Sequence, residues 1–132
     1  MNNKPVFINI SNHPFSEWQT DQQDAAHRVG TVYDILFPVV PSEWDTQEVA
    51  MLVDVYRGKV KELLPKPDGV SVVHVMGESV FTFMLVSLLL SEKYIVVAST
   101  TERVVSYEGD KKISSFKFVR FRKYHINNNS PL

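Results

Sequence analysis

Cysteine is absent from the chain, which removes disulfides, thiol nucleophiles and Cys-ligated zinc, and fits a reducing compartment. Glycine is scarce, five in 132 residues, and none of them builds a Walker loop or a G-x-G-x-x-G turn. The four histidines lack a spacing such as H-E-x-x-H, so no metal and no cofactor is expected. A Gly-x-Ser-x-Gly elbow and a Cys–His pair are also missing, which leaves acyl transfer without support. Neither sign of charge dominates. Fourteen basic against fifteen acidic residues give a net charge of −1, and so no global pull toward duplex nucleic acid or an anionic membrane. The apolar run Val80–Leu90, interrupted by Thr82 and Ser87, falls far short of the roughly 20 residues of a membrane span. It reads as a buried helix. Met1–Lys4 leads straight into a strand-like run, so no secretory leader is expected and the expected location is cytoplasmic.

What is present suits one compact α/β domain over residues 1–126, with 44% hydrophobic residues to supply its core. The central stretch is Val70–Arg103. A short β-branched run, Val70–Val75, is followed by Met76-Gly77-Glu78 and the apolar helix, and a second run, Tyr94–Ala98, ends in Ser99-Thr100-Thr101-Glu102-Arg103. Continuously apolar runs of this length read as strands buried on both faces, and strand, helix, strand is a βαβ crossover.

The flanks follow the same logic. Val6–Ile10 predicts a first strand and Ser11-Asn12-His13-Pro14 a turn. Ser16-Glu17-Trp18-Gln19 has the form of a capping box opening a helix that stops at Gly30. Thr31–Phe37 predicts the second strand, ended by Pro38 and Pro41. Ser42–Asp45 offers caps for a helix whose Val49, Leu52, Val53, Tyr56, Val60, Leu63 and Leu64 share one face. After the central unit, Val104–Tyr107 and Ile113–Tyr124 predict an antiparallel hairpin around Glu108-Gly109-Asp110-Lys111. Its apolar parity changes between Phe118 and Val119, which a bulge or a strand covered on both faces would explain. Asn127–Leu132 reads as a disordered tail. Right-handed crossovers then predict a three-layer, Rossmann-like parallel sheet of order 2-1-3-4, with the hairpin extending one edge.

Ligands in such sheets sit at the carboxyl ends of the strands. Ser11–Pro14, Pro38–Pro41, Gly77–Ser79 and Ser99–Arg103 are expected along that rim. Gly77 either exposes N–H groups to an anion or only permits a tight turn. Glu78 caps the helix or meets its positive end. Among Ser99, Thr100, Thr101, Glu102 and Arg103, the guanidinium suits bidentate phosphate binding or a local ion pair with Glu102 or Glu78. His13, beside Asn12, can bind phosphate, move a proton, or serve as a turn residue. Trp18 stacks on a base or fills the core. His74 reads as a satisfied core residue. The run Lys111–Lys123 carries six cations and no acid, which suits either RNA or a solvated edge strand.

Two motifs together resemble a known group. Ser99-Thr100-Thr101-Glu102-Arg103 and Phe118-Val119-Arg120-Phe121-Arg122-Lys123-Tyr124, with Ser11-Asn12-His13-Pro14 and Gln22-Gln23-Asp24-Ala25, resemble small stand-alone CRISPR-associated proteins of the CARF superfamily, proposed as ring nucleases. The similarity covers most of residues 6–124. It implies a CARF-like fold and a cyclic oligoadenylate ligand, cyclic tetra- or hexa-adenylate, from type III CRISPR antiviral signalling. It further implies metal-independent cleavage by 2′-OH attack, giving a 2′,3′-cyclic phosphate, or binding alone as a sensor or sponge. On that resemblance Arg103, Glu78 and His13 are the catalytic candidates, and Ser11, Asn12, Gly77, Ser99, Thr100, Thr101, Glu102 and Trp18 the ligand-binding ones. A homodimer would match the even symmetry of such a ring.

Overall fold

A computed structural model describes residues 4–126; the tail expected over 127–132 lies outside them. Strand β1, Val6–Ser11, is buried at all six positions, because neighbours flank it on both edges and helices cover both faces. It pairs in parallel with β2, Thr31–Asp34, on one side and with β3, Val72–Met76, on the other. Strand β4, Ile95–Glu108, runs parallel to β3 and antiparallel to β5, Lys111–Lys123. The sheet order is β2-β1-β3-β4-β5, so the expected order and edge hairpin are both found.

Alternation along β1 divides the core. Ile8 and Ile10 face helices α2, Thr46–Leu63, and α3, Ser79–Ser91, where Val49, Val53, Tyr56, Val60, Phe81, Leu85 and Leu89 close the larger cluster. Phe7 faces helix α1, Thr20–Val29, and packs with Trp18 and Ala26 in the smaller one. Full burial of Phe7, Ile8 and Ile10 contributes about 1.5–3 kcal/mol each. Helix α2 starts where Asp45 and Glu48 form a reciprocal capping box. The Tyr56 hydroxyl donates to the Leu36 carbonyl at 2.7 Å, tying the segment after β2 to that helix. Among the described residues, no helix is long and apolar enough to cross a membrane.

Three expectations are corrected. The box expected at Ser16–Gln19 does not form: Phe15–Glu17 is a 3-10 turn, and Gln19 precedes α1 without a side-chain cap. Its amide instead clamps β5, with Nε2 donating to the Phe116 carbonyl and Oε1 accepting from Phe118 N–H. A side chain that satisfies two open backbone groups of a distant strand outweighs one local cap bond. Strand β2 stops at Asp34 rather than Phe37. Ser99–Arg103 is not a loop. β4 runs unbroken from Ile95 to Glu108, because Thr100, Thr101, Val104 and Val105 are strand formers and every position through Glu108 has a partner on β5.

Of the two causes offered for the parity change in β5, the bulge is the one found. Thr100 pairs with Arg120 but Thr101 with Phe118, which leaves Val119 as the extra residue of a β-bulge. The bulge turns Phe116, Phe118 and Phe121 onto one face, opposite Arg103, Thr101 and Ser99. The hairpin closes at Gly109, whose φ of +63° is open to glycine without strain.

Candidate functional site

The strand ends do converge. Ser11 at the end of β1, Met76-Gly77 at the end of β3, and Ser99 and Thr101 on β4 line a cleft of about 630 Å³, within the range of roughly 300–1,000 Å³ usual for small-molecule sites. The segment between β1 and α1 supplies Asn12, His13, Glu17, Trp18 and Gln19, α1 adds Gln22, and β5 closes the outer side with Phe116 and Phe118. The position follows from topology. β1 sends its chain to β2 on one side while β3 lies on the other, which opens a crevice at the switch point.

The turn carrying His13 is pinned through one atom. The His13 carbonyl accepts from Asn9 Nδ2 at 3.1 Å, Ser11 Oγ at 2.9 Å and Trp18 Nε1 at 3.0 Å. With the carbonyl held from three sides, the exposed imidazole has a fixed base at the cleft. Trp18 resolves toward the core: it is 8% exposed and packs edge-on to Phe7 and His74. Its remaining surface forms part of the cleft wall.

Beneath the cleft runs a buried polar chain. Asn9 and His74, cross-strand partners on β1 and β3, are 0% and 1% exposed. Asn9 Nδ2 donates to Asp34 Oδ1 at 2.6 Å, and Asn9 Oδ1 lies 2.9 Å from His74 Nδ1. His74 Nε2 lies 2.7 Å from Ser99 Oγ, which also receives Gln22 Nε2 at 3.0 Å. Burial pushes the His74 imidazole from its ordinary 6.5 down to about 3, so it is neutral at pH 7. His74 is thus a satisfied core residue, as expected, and one that reaches the cleft through Ser99.

Other candidates sit elsewhere. Glu78 caps α3, accepting from Phe81 N–H at 2.7 Å, so its own carboxylate occupies the helix N-terminus. At Gly77 an added Cβ would strike the Phe37 ring; close packing is one reason for glycine there. Arg103 donates from Nε and a terminal NH2 to Ser114 Oγ at 3.2 and 2.9 Å. It lies two residues beyond Thr101 on the same strand face, outside the cleft lining. Thr100 and Glu102 point to the opposite face, where Thr100 Oγ1 donates to the Arg120 carbonyl at 3.1 Å and Glu102 stands across from Lys117. The lining holds Glu17 and His13 but no Lys or Arg. Pro38–Pro41 is outside it as well. Among the described residues, no three His, Asp or Glu side chains group as a metal site.

Sequence reasoning gave no site role to Asn9, Asp34, Gln19, Gln22, Met76, Phe116 or Phe118. A signal existed for the first: Asn9 is a lone polar residue inside the apolar run of β1, and a buried amide demands partners. Phe116 and Phe118 reach the cleft only because the bulge fixes their parity.

No curated protein and no solved structure matches this chain. One family does, over residues 5–122, and the chain belongs to it: the family described as uncharacterized protein MJ1673.

Proposed function

We propose that the cleft binds a cyclic oligoadenylate, cyclic tetra- or hexa-adenylate, and that the protein is a CARF-like, homodimeric ring nuclease that switches off type III CRISPR signalling. The observation that carries this reading is the switch-point cleft itself. It sets an exposed imidazole, His13, beside hydroxyls at Ser11, Ser99 and Thr101 and aromatic walls at Trp18, Phe116 and Phe118. Aromatic faces suit stacked bases, and the carboxyl ends of parallel strands suit a nucleotide.

In the proposed reaction the ribose 2′-OH attacks the adjacent phosphorus. The 2′-O–P bond forms, the P–O5′ bond breaks, His13 takes the 2′-OH proton, and water protonates the leaving 5′ oxygen. Imidazole suits proton transfer near neutrality. The products are linear, with a 2′,3′-cyclic phosphate at one end and a 5′-hydroxyl at the other. Arg103 has the role of leaving Ser114, a neutral partner, for a phosphate at the cleft mouth, since charged hydrogen bonds are the stronger ones. Two clefts related by a two-fold axis match an even-membered ring. The hairpin arm offers apolar surface for that contact in Val104, Val105 and Tyr107, all exposed.

A second reading has its own support. With no Lys or Arg in the lining and Glu78 engaged as a cap, the cleft has little with which to neutralise a phosphorane-like transition state. That favours a sensor or sponge. Labelled cyclic tetra- and hexa-adenylate, incubated with the protein in EDTA, separate the two. Linear products ending in 2′,3′-cyclic phosphate support the nuclease, and binding without products supports the sensor. Absence of both binding and cleavage would refute the ligand.

A further inference from the structure

The polar chain beneath the cleft has a direction, and each link forces the next. The Asp34 carboxylate and the His13 carbonyl only accept, so the Asn9 group facing both is its NH2. The other end of Asn9 is therefore its oxygen, and His74 Nδ1 must carry the proton donated to it. His74 is neutral, so Nε2 is bare and Ser99 must donate its only hydroxyl proton there. With that proton committed, the group reaching Ser99 from Gln22 must be a donor, and it is Nε2. With the imidazole neutral, none of these choices can be reversed without setting two acceptors face to face.

We infer that Ser99 Oγ is a fixed hydrogen-bond acceptor in the cleft, and that it selects the exocyclic amine of adenine over the carbonyl of hypoxanthine or guanine. This rests on the ligand reading above and goes further, naming the residue that identifies the base. A free serine hydroxyl rotates to donate or accept as the ligand requires. Ser99 cannot donate, because its proton is held by an imidazole fixed in turn by Asn9 and Asp34. What it presents to the cleft is a lone pair. The surroundings suit a base rather than a sugar-phosphate: Trp18, Met76, Phe116 and Phe118 supply apolar and aromatic lining in the same cleft, and no Lys or Arg joins them. A carbonyl placed against Ser99 Oγ would meet an acceptor with no proton to share, and the mismatch costs affinity for as long as His74 holds the proton.

The test compares binding of cyclic tetra-adenylate and cyclic tetra-inosinate, by calorimetry, to the wild-type protein and to Ser99→Ala. The two rings differ along the N1–C6 edge, where the amine becomes a carbonyl and N1 gains a proton. The wild type should prefer the adenylate by roughly tenfold to a hundredfold, the range one well-placed base contact provides. Ser99→Ala should bind the adenylate more weakly and bring the two rings within about threefold. A loss of stability alone would not alter the ratio between two ligands. Equal binding of both rings by the wild type, or an unchanged preference in Ser99→Ala, would overturn the role of Ser99 while leaving the ligand reading intact. If the wild type binds neither cyclic tetra-adenylate nor cyclic hexa-adenylate, both are overturned; loss of inosinate binding alone is the expected preference at its extreme. The wild-type comparison decides the matter even where the variant does not fold.

Discussion

The buried imidazole of His74 predicts a specific loss of stability in mild acid. Its ordinary pKa is 6.5, and in the folded protein burial lowers it to about 3. Below pH 6.5 the unfolded chain binds a proton at this site and the folded chain does not, so acid favours unfolding. The stabilisation is complete above pH 6.5 and declines by about 1.4 kcal/mol per pH unit until the folded pKa is reached. Between pH 7 and pH 5 the loss is about 2 kcal/mol, a sizeable share of the 5–15 kcal/mol usual for a domain. Carboxylates hardly contribute in that interval. Glu92 is held low by its hydrogen bond from Arg57, and Asp68, against the effect of burial, by hydrogen bonds from Ser71 and Val70; both lose their contribution only at lower pH. Urea unfolding at half-unit steps from pH 7 to pH 5 measures the slope, with His74→Gln as the reference because glutamine does not titrate. The wild-type curve should fall about 2 kcal/mol further than that of the variant. Parallel curves would show that His74 is solvated or already charged in the folded state, and would refute the neutral relay through Asn9 and Ser99.

Three other outcomes follow from the packing. Asn9→Leu strips two acceptors of a donor and orphans the buried His74 Nδ1–H, so the urea midpoint should fall by the equivalent of about 3–5 kcal/mol; a drop below about 1 kcal/mol would contradict the chain's role in stability. Gly30→Ala drives a methyl group into the Pro5 carbonyl, which cannot yield because Thr31 N–H holds it at 3.0 Å; a cost of about 2–3 kcal/mol is expected in thermal unfolding, and an unchanged Tm would refute the contact. Deleting Val119 removes the bulge but leaves Phe116, Phe118 and Phe121 at alternate positions of a regular strand, still across from Arg103, Thr101 and Ser99. The near-ultraviolet signal of the Phe7–Trp18–Phe121 cluster should therefore be kept, and a lost signal would refute the assignment of Val119 as the extra residue.

Much of the fold is legible in the sequence because burial leaves a simple imprint. The runs of β1, β3 and the start of β4 are apolar because helices cover both faces of a parallel sheet, and the apolar positions of α2, with Leu64 just past its end, repeat with the helical period. The bulge is legible for the same reason. Phe116, Phe118 and Phe121 cannot share a face in a regular strand, so their spacing demands one extra residue, and Val119 supplies it. The end of β4 is not legible in this way. Ser99-Thr100-Thr101-Glu102-Arg103 has the composition of a loop, and what makes it a strand is its pairing with residues up to 22 positions later. Backbone hydrogen bonds to a second chain segment override a local polar composition. A hairpin arm with water on both faces has no hydrophobic alternation by which to announce itself.

The site shows the converse. Candidates chosen for chemical versatility at a rim, Arg103, Glu78 and Glu102, turn out to be occupied by local partners or directed away from the cleft, because a polar surface group is satisfied by whatever lies nearest. Residues that shape the cleft floor, Asn9 and His74, stand where polarity is costly: in the middle of the two most deeply buried strands and opposite one another in register. A polar side chain persists there only as part of a fully partnered network, and such a network must end somewhere. One end is the Asp34 carboxylate, at the exposed edge of the sheet. The other is Ser99, inside the cleft, where the proton order imposed by Asp34 across three strands fixes what the surface can recognise. Seen this way, an amide and an imidazole in apolar strands carry more information about function than the charged rim above them, since water could have satisfied the rim but not the strands.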